Sequence, residues 1–273
     1  MKRIRFKIVL LGIFLITVVS LLPKNGQAWP PNLPNGQTLI LLHGRGDSKQ
    51  KMNIIQDWAD PNVSPTYPII TWEKIYNIEY YGDYPDHPSE FNNVIRGNSG
   101  TNGSHIDEFG EALYIWLLGK IFTQQVNKEI YFICHSMGGL IVRYMIKTWY
   151  DYFGAQIKGV AHLGTPNHGC LSAGFGYMLD PWEKSLGDMR IGSVFIANLN
   201  ANDETPDITK WYTYAGRKDL WGNTGTTWDG VVEMGSVELE GACANRRYSD
   251  LNHLELKRDW GVYTQIIYDF RYL

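Results

Sequence analysis

The sequence predicts an α/β protein with a mostly parallel central sheet and helices on both faces. Short apolar runs recur at 38–42 (TLILL), 129–134 (EIYFIC) and 157–163 (IKGVAHL), the pattern of strands buried on both sides. Stretches with helical spacing, at 107–126 and 140–150, fall between or after them. The main polar clusters follow the apolar runs directly, and ligand sites in such sheets lie beyond the carboxyl ends of the strands.

The elements can be justified in chain order. Met1–Lys7 carries Lys2, Arg3, Arg5 and Lys7; Ile8–Leu22 is largely apolar; Pro23 breaks the run, and Gly26-Gln27-Ala28 supplies small residues. This is the order of a secretory signal, so residues 1–28 are expected to be a signal peptide and 29–273 a single catalytic domain, secreted and extracellular. The apolar run is short for a bilayer span of about 20 residues, and no second one follows, so no stable membrane span is expected after cleavage. Trp29–Pro34 (WPPNLP) reads as an extended arm. The run 38–42 is the first strand. Residues 74–80 (KIYNIEY) alternate and suggest the second, and 81–104, rich in Gly, Asn, Asp, Pro and Ser, a long surface loop. Phe109, Leu113, Trp116, Leu117 and Ile121 space a helix over 107–126, with Asp107 and Glu108 favouring its N-terminus. Strand 129–134 runs into a helix over 140–150, and strand 157–163 ends at Gly164-Thr165-Pro166. Residues 170–205 lack a strong period and suggest a small cap. A strand at 211–215 (WYTYA), an extended segment near 231–240, a loop holding His253 and a helix over 261–272 complete the chain.

With 273 residues and 44% apolar content, the chain suits one large core. A net charge of −3 provides no basic field, which excludes a nucleic-acid partner. Of the three cysteines, Cys134 reads as a small core residue, while Cys170 and Cys243 fall in loops and are candidates for a bridge.

The chemistry concentrates in three places. Cys134-His135-Ser136-Met137-Gly138 lies between a strand and a helix, as a nucleophile elbow of G-x-S-x-G form with Cys in place of the first Gly. A serine on such a tight turn projects into the cleft, and the helix N-terminus favours negative charge there. His43-Gly44-Arg45-Gly46 follows the first strand, where one oxyanion donor originates. The backbone N–H groups of Arg45 and Met137 are therefore the expected oxyanion hole, with the Arg45 side chain facing solvent or, as the alternative, meeting an acidic substrate group. The chain order serine, acid, histidine selects His253, in a loop before the last helix. Asp229, in a polar loop before Val231-Val232, is the expected acid, and Asp219 its main rival. His43 and His135 read as residues that orient backbone or pack, and His162 lies within a strand. The catalytic expectation is thus Ser136, Asp229 and His253, with no cofactor.

These motifs, with Leu163-Gly164-Thr165-Pro166-Asn167-His168-Gly169, Asp188–Asn200, Asp229-Gly230-Val231-Val232 and Asn252-His253-Leu254, resemble the series of bacterial secreted lipases and esterases of the class 2 lipase type. The resemblance spans residues 38–254. It implies the α/β-hydrolase fold and hydrolysis of carboxylic esters, acylglycerols among them, with an ester or lipid as the substrate partner. Acyl transfer, thioester cleavage and polyester depolymerisation on the same triad stay open. Two departures stand out: Cys134 at the elbow, and a chain too short for a large lid. A small cap over 170–205 would offer Phe175, Tyr177, Met178, Leu179 and Trp182 as an apolar wall. Some relatives carry a structural calcium near the base, for which Glu255 and Asp219 are the candidates here.

Overall fold

A computed structural model describes residues 35–63, 71–81, 104–153 and 156–272. The signal segment 1–28, the arm 29–34 and most of the loop 81–104 lie outside the described residues.

Six parallel strands form one sheet: β1 (Gln37–Leu42), β2 (Lys74–Ile78), β3 (Glu129–His135), β4 (Ile157–Leu163), β5 (Lys210–Gly216) and β6 (Ala244–Tyr248), in the order β2-β1-β3-β4-β5-β6. Alternation of side chains along each strand divides the core in two. Ile40, Leu42, Phe132, Cys134 and Val160 point to one face, where α2 (Ile106–Phe122) and α3 (Met137–Phe153) pack. Leu39, Leu41, Tyr131, Ile133, Ala161, Tyr212 and Tyr214 point to the other, covered by α1 (Asn53–Ala59) and α8 (Trp260–Tyr272). Strands that bury both faces must be apolar throughout, which is why the central ones read as continuous runs.

The fold departs from expectation in three places. Residues 231–240 are not a strand: they hold a single turn of helix, α7 (Met234–Val237), and the sixth strand lies farther on, at 244–248. That strand, ANRRY, is half-exposed and polar on an edge of the sheet, so it carries no apolar run to announce it. The cap region is helical, with α4 (Leu171–Leu179), α5 (Lys184–Asp188) and α6 (Val194–Asn200). Phe175, Met178, Leu179 and Trp182 are exposed and do not close an apolar wall.

The third departure concerns the cysteines. All three are free. Cys243 donates its N–H to Trp211 at the amino end of β5 (2.8 Å), whereas Cys170 follows the carboxyl end of β4 and caps α4. In a parallel sheet those positions lie at opposite edges, too far apart for a bridge.

Candidate active site

Parallel strands bring their carboxyl ends to one edge, where the loops after β1, β3, β4 and β5 meet. The tightest is the β3–α3 junction. Ser136 stands there with φ +52°, in the left-handed region that costs an L-residue about 1–2 kcal/mol. Strained conformations of this kind cluster at functional sites, and Ser136, unlike Gln124, Asn202 and Asp207, holds its own at a strand-to-helix junction. The surroundings impose it: the Ser136 N–H donates to Leu163 O (2.9 Å) and the Gly139 N–H to Ser136 O (3.0 Å). A Cβ on Gly138 would fall 2.5 Å from His43 O, and one on Gly139 2.2 Å from Thr165 Oγ1, so only glycine fits between strand and helix. Cys134 needs no such space. Its side chain points into the core and is fully buried, and burial pushes its thiol pKa up.

Asp229 and His253 are brought together. His253 Nδ1 lies 2.8 Å from Asp229 Oδ2, with both residues buried. Asp229 Oδ1 accepts two backbone N–H groups, from Val231 (2.9 Å) and Val232 (2.7 Å). The backbones are tied as well, His253 N–H donating to Asp229 O at 2.9 Å. Gly164 floors this pair: with φ +57°, a Cβ there would lie 2.8 Å from His253 Nδ1 and 3.0 Å from Asp229 Oδ2. Because Ser136 N–H is bonded to Leu163 O, the residue next to Gly164, the serine turn and the Asp229–His253 pair share one wall. His135 joins them from the other side: its Nε2–H donates to His253 O (2.9 Å), and its ring packs against that of His253 at 4.7 Å.

The rival acid is engaged elsewhere. Asp219 Oδ1 accepts from the N–H groups of Trp221 and Asn223 (both 2.9 Å) and Oδ2 from Asn223 Nδ2 (2.7 Å), shaping its own turn. Glu255 accepts from Lys218 Nζ (2.8 Å) and from the Asn252 N–H (2.9 Å). Both candidate calcium ligands are thus committed to protein donors. Among the described residues no cluster of three or more His, Cys, Asp or Glu is suited to a metal ion, so the residues do not fit a calcium site.

The expected oxyanion loop lies over the serine. A Cβ on Gly44 would sit 2.9 Å from Ser136 Cβ, so the backbone after β1 rests directly on Ser136. Met137 is the first residue of α3, where a helix N–H has no intrahelical acceptor. The Arg45 side chain is partly exposed to solvent, at 38%, but it is not left to solvent alone. It forms a bidentate pair with Glu183 of the cap, Nε to Oε1 and Nη2 to Oε2, each at 2.5 Å. Glu183 is buried, and its hydrogen bond leads the causes that hold the Arg45 pKa above its ordinary value. The residues behind the site that sequence reading passed over are charged: Glu79 against His43, and Lys257 against Asp47 and His135. Burial, then His253 and Lys257, push the His135 pKa well below its usual value, so the ring is neutral. Partners separated by 138 or 210 positions in sequence leave no local signal. Glu79 alone had one, a carboxylate at the carboxyl end of a strand that pairs with β1.

Comparison with known proteins bears on the fold and on the segment that carries the Ser136 turn. Residues 72–165 match the family described as "Putative serine esterase (DUF676)". No curated protein matches the chain. Among solved structures, the mature lipase BlEst2 of Bacillus licheniformis is similar over 90% of this chain and 95% of its own, at 15% identity and a TM-score of 0.56. The lin2722 product of Listeria innocua is similar over 89% and 95%, at 12% identity and 0.55. The metagenomic carboxyl esterase MGS0156 is similar over 91% and 75%, at 13% identity and 0.51. The fold is that of the α/β-hydrolases.

Proposed function

We propose that this chain hydrolyses carboxylic esters, as a lipase or carboxylesterase, through a serine nucleophile and an acyl-enzyme. The observation that carries the reading is the buried 2.8 Å hydrogen bond between His253 Nδ1 and Asp229 Oδ2, beside a serine held at φ +52°. A carboxylate can only accept, so His253 carries its proton on Nδ1 and keeps a lone pair on Nε2. Nε2 removes the proton of Ser136 Oγ as that oxygen attacks the ester carbonyl. Asp229, fixed by the Val231 and Val232 N–H groups, stabilises the imidazolium that forms. The carbonyl oxygen becomes an oxyanion, which the Arg45 and Met137 N–H groups hold. Removing a single oxyanion donor typically costs about 2.7–4 kcal/mol of transition-state stabilisation. The intermediate collapses, His253 returns the proton to the departing alkoxide, and the acyl group stays on Ser136. Water, deprotonated by His253, then attacks the acyl-enzyme. The carboxylic acid leaves and Ser136 regains its proton. No cofactor takes part in these steps.

The basic, apolar and small-residue order over 1–28 supports export of the domain before it acts. The substrate class extends to acylglycerols and other acyl esters, on the strength of the motif series. The test is hydrolysis of p-nitrophenyl esters from short to long acyl chains by residues 29–273, beside Ser136→Ala. Activity lost in the variant, with an unchanged melting temperature, is the expected result. A folded protein inert on every ester would refute the reading.

A further inference from the structure

We propose that Glu79 and His43 form a buried, hydrogen-bonded positioning pair that aims the Arg45 N–H into the oxyanion site beside Ser136. The proposal rests on the reading of Arg45 as an oxyanion donor and goes beyond it by naming what orients that donor. Both residues are fully buried and lie outside the triad.

Hydrogen-bond accounting places a hydrogen on Nδ1. His43 Nδ1 lies 2.8 Å from Gly44 O. A carbonyl only accepts, so Nδ1 carries a hydrogen. His43 Nε2 lies 3.0 Å from Glu79 Oε1. Both Glu79 oxygens already act as acceptors, Oε1 from the Tyr81 N–H (3.1 Å) and Oε2 from the Lys49 N–H (3.0 Å). The Nε2–Oε1 hydrogen bond, with neither residue exposed to solvent, ties the ring to a carboxyl that is itself pinned by two backbone donors. Burial would push the Glu79 carboxyl up, but the His43 hydrogen bond and the two backbone donors outweigh it and hold it below its ordinary range. The ring cannot turn: it stacks on Tyr80 at 4.0 Å and 7°, and Tyr80 Oη donates to His43 O at 2.9 Å. The other titratable groups around it are Tyr80, Tyr81, the neutral His135 and Asp47, whose carboxylate pairs with Lys257. Burial keeps both tyrosines protonated, so Glu79 is the anion that the ring meets.

The consequence follows from peptide geometry. Gly44 C=O and Arg45 N–H belong to one trans peptide, so they point in opposite directions. The carbonyl is drawn to His43 Nδ1, with a second, longer bond from the Asp47 N–H (3.3 Å). The N–H therefore leaves on the side away from His43. The Gly44 α-carbon beside it lies against Ser136, whose Cβ would be 2.9 Å from any Cβ added there. Glu79 locks the ring, the ring holds the carbonyl, and the carbonyl sets the donor.

The test uses residues 29–273 with a p-nitrophenyl ester, starting from wild type and Ser136→Ala. Ser136-dependent hydrolysis must be present first; its absence would overturn the underlying reading, visible before any variant of the pair is made. Glu79→Gln is then expected to lower kcat about tenfold or more with KM little changed, short of the roughly 10²–10³-fold loss of an entire oxyanion donor. His43→Asn, whose amide nitrogen can stand where Nδ1 stands, is expected to keep more kcat than His43→Gln, whose amide nitrogen reaches only toward Glu79. Affinity for a trifluoromethyl ketone, which forms an oxyanion adduct on the serine, should fall in step with kcat. A structural role alone would lower the melting temperature without this ordering. If the variants fail to fold, ¹⁵N spectra of histidine-labelled wild type decide: a hydrogen on His43 Nδ1 supports the hold on the Gly44 carbonyl, and a bare Nδ1 overturns it. Wild-type kcat in a folded Glu79→Gln would overturn it equally.

Discussion

Replacing Asp229 by Asn tests the triad more sharply than removing it, because the structure dictates how the amide must sit. Oδ1 of Asp229 accepts N–H groups from Val231 and Val232 at 2.9 and 2.7 Å, so the amide oxygen has to occupy that position. Turning the amide over would face its NH₂ against two donors and leave buried N–H groups unpaired, at about 1–3 kcal/mol each. The NH₂ therefore takes the place of Oδ2, 2.8 Å from His253 Nδ1. There it can only donate, so Nδ1 must be bare and Nε2 must carry the hydrogen. The histidine is left with no lone pair toward Ser136. In a triad of this kind the wrong tautomer lowers kcat about 10⁴-fold, equivalent to about 5.5 kcal/mol of barrier. The assay is kcat on a short p-nitrophenyl ester, with thermal unfolding as the control for folding. ¹⁵N spectra of labelled histidine should show the His253 proton moved from Nδ1 to Nε2. Asp229→Asn within about tenfold of wild type would refute the reasoning, as would a larger loss in Asp219→Asn, whose carboxylate only braces its own turn.

Other consequences can be measured separately. Gly164→Ala should lower both stability and kcat, since φ +57° costs an L-residue about 1–2 kcal/mol and the new Cβ would press on His253 Nδ1; urea melts and ester assays check it. Arg45→Ala strips the buried Glu183 of its bidentate partner and should loosen the cap, costing about 1–2 kcal/mol after allowance for the partly exposed arginine, with faster tryptic cleavage at Lys184 as the readout. Burial holds His162 down to about 3 and His135 well below its ordinary value. Such groups bind protons more readily when unfolded, so their contribution to stability is complete above about pH 6.5 and is lost as pH falls toward 3. Unfolding free energy measured across that window should decline, and His162→Gln should flatten the slope. In the folded, unreduced protein a thiol reagent should modify exposed Cys243 while Cys134 and Cys170 wait for denaturation; one reactive thiol after denaturation would restore the abandoned bridge.

Much of this molecule was legible in one dimension because the physics there is local. Parallel strands buried on both faces must be apolar throughout, so β1, β3, β4 and β5 stand out as runs, each matching its expected bounds to within a residue. A serine turn between strand and helix needs small neighbours, so Gly138 and Gly139 mark Ser136. The order of serine, acid and histidine along the chain singled out His253 and left Asp229 and Asp219 as candidate acids, of which the fold brings Asp229 within 2.8 Å of it. What escaped was whatever depends on neighbours distant in sequence or on an exposed edge. β6 carries Arg246 and Arg247 because an edge strand need not be apolar, and no periodicity betrays it. Cys170 and Cys243 look equally loop-like in sequence, and only the parallel sheet puts them at opposite ends. Arg45 reads as a solvated cation until the cap folds back and places Glu183 against it. The sequence by itself determined which residues could do the chemistry, since residue type and turn geometry are properties of short segments. Tertiary structure alone decided how the site is braced, because a buried charge is stable only beside its partner, and Glu79, Glu183 and Lys257 meet theirs only when the chain closes.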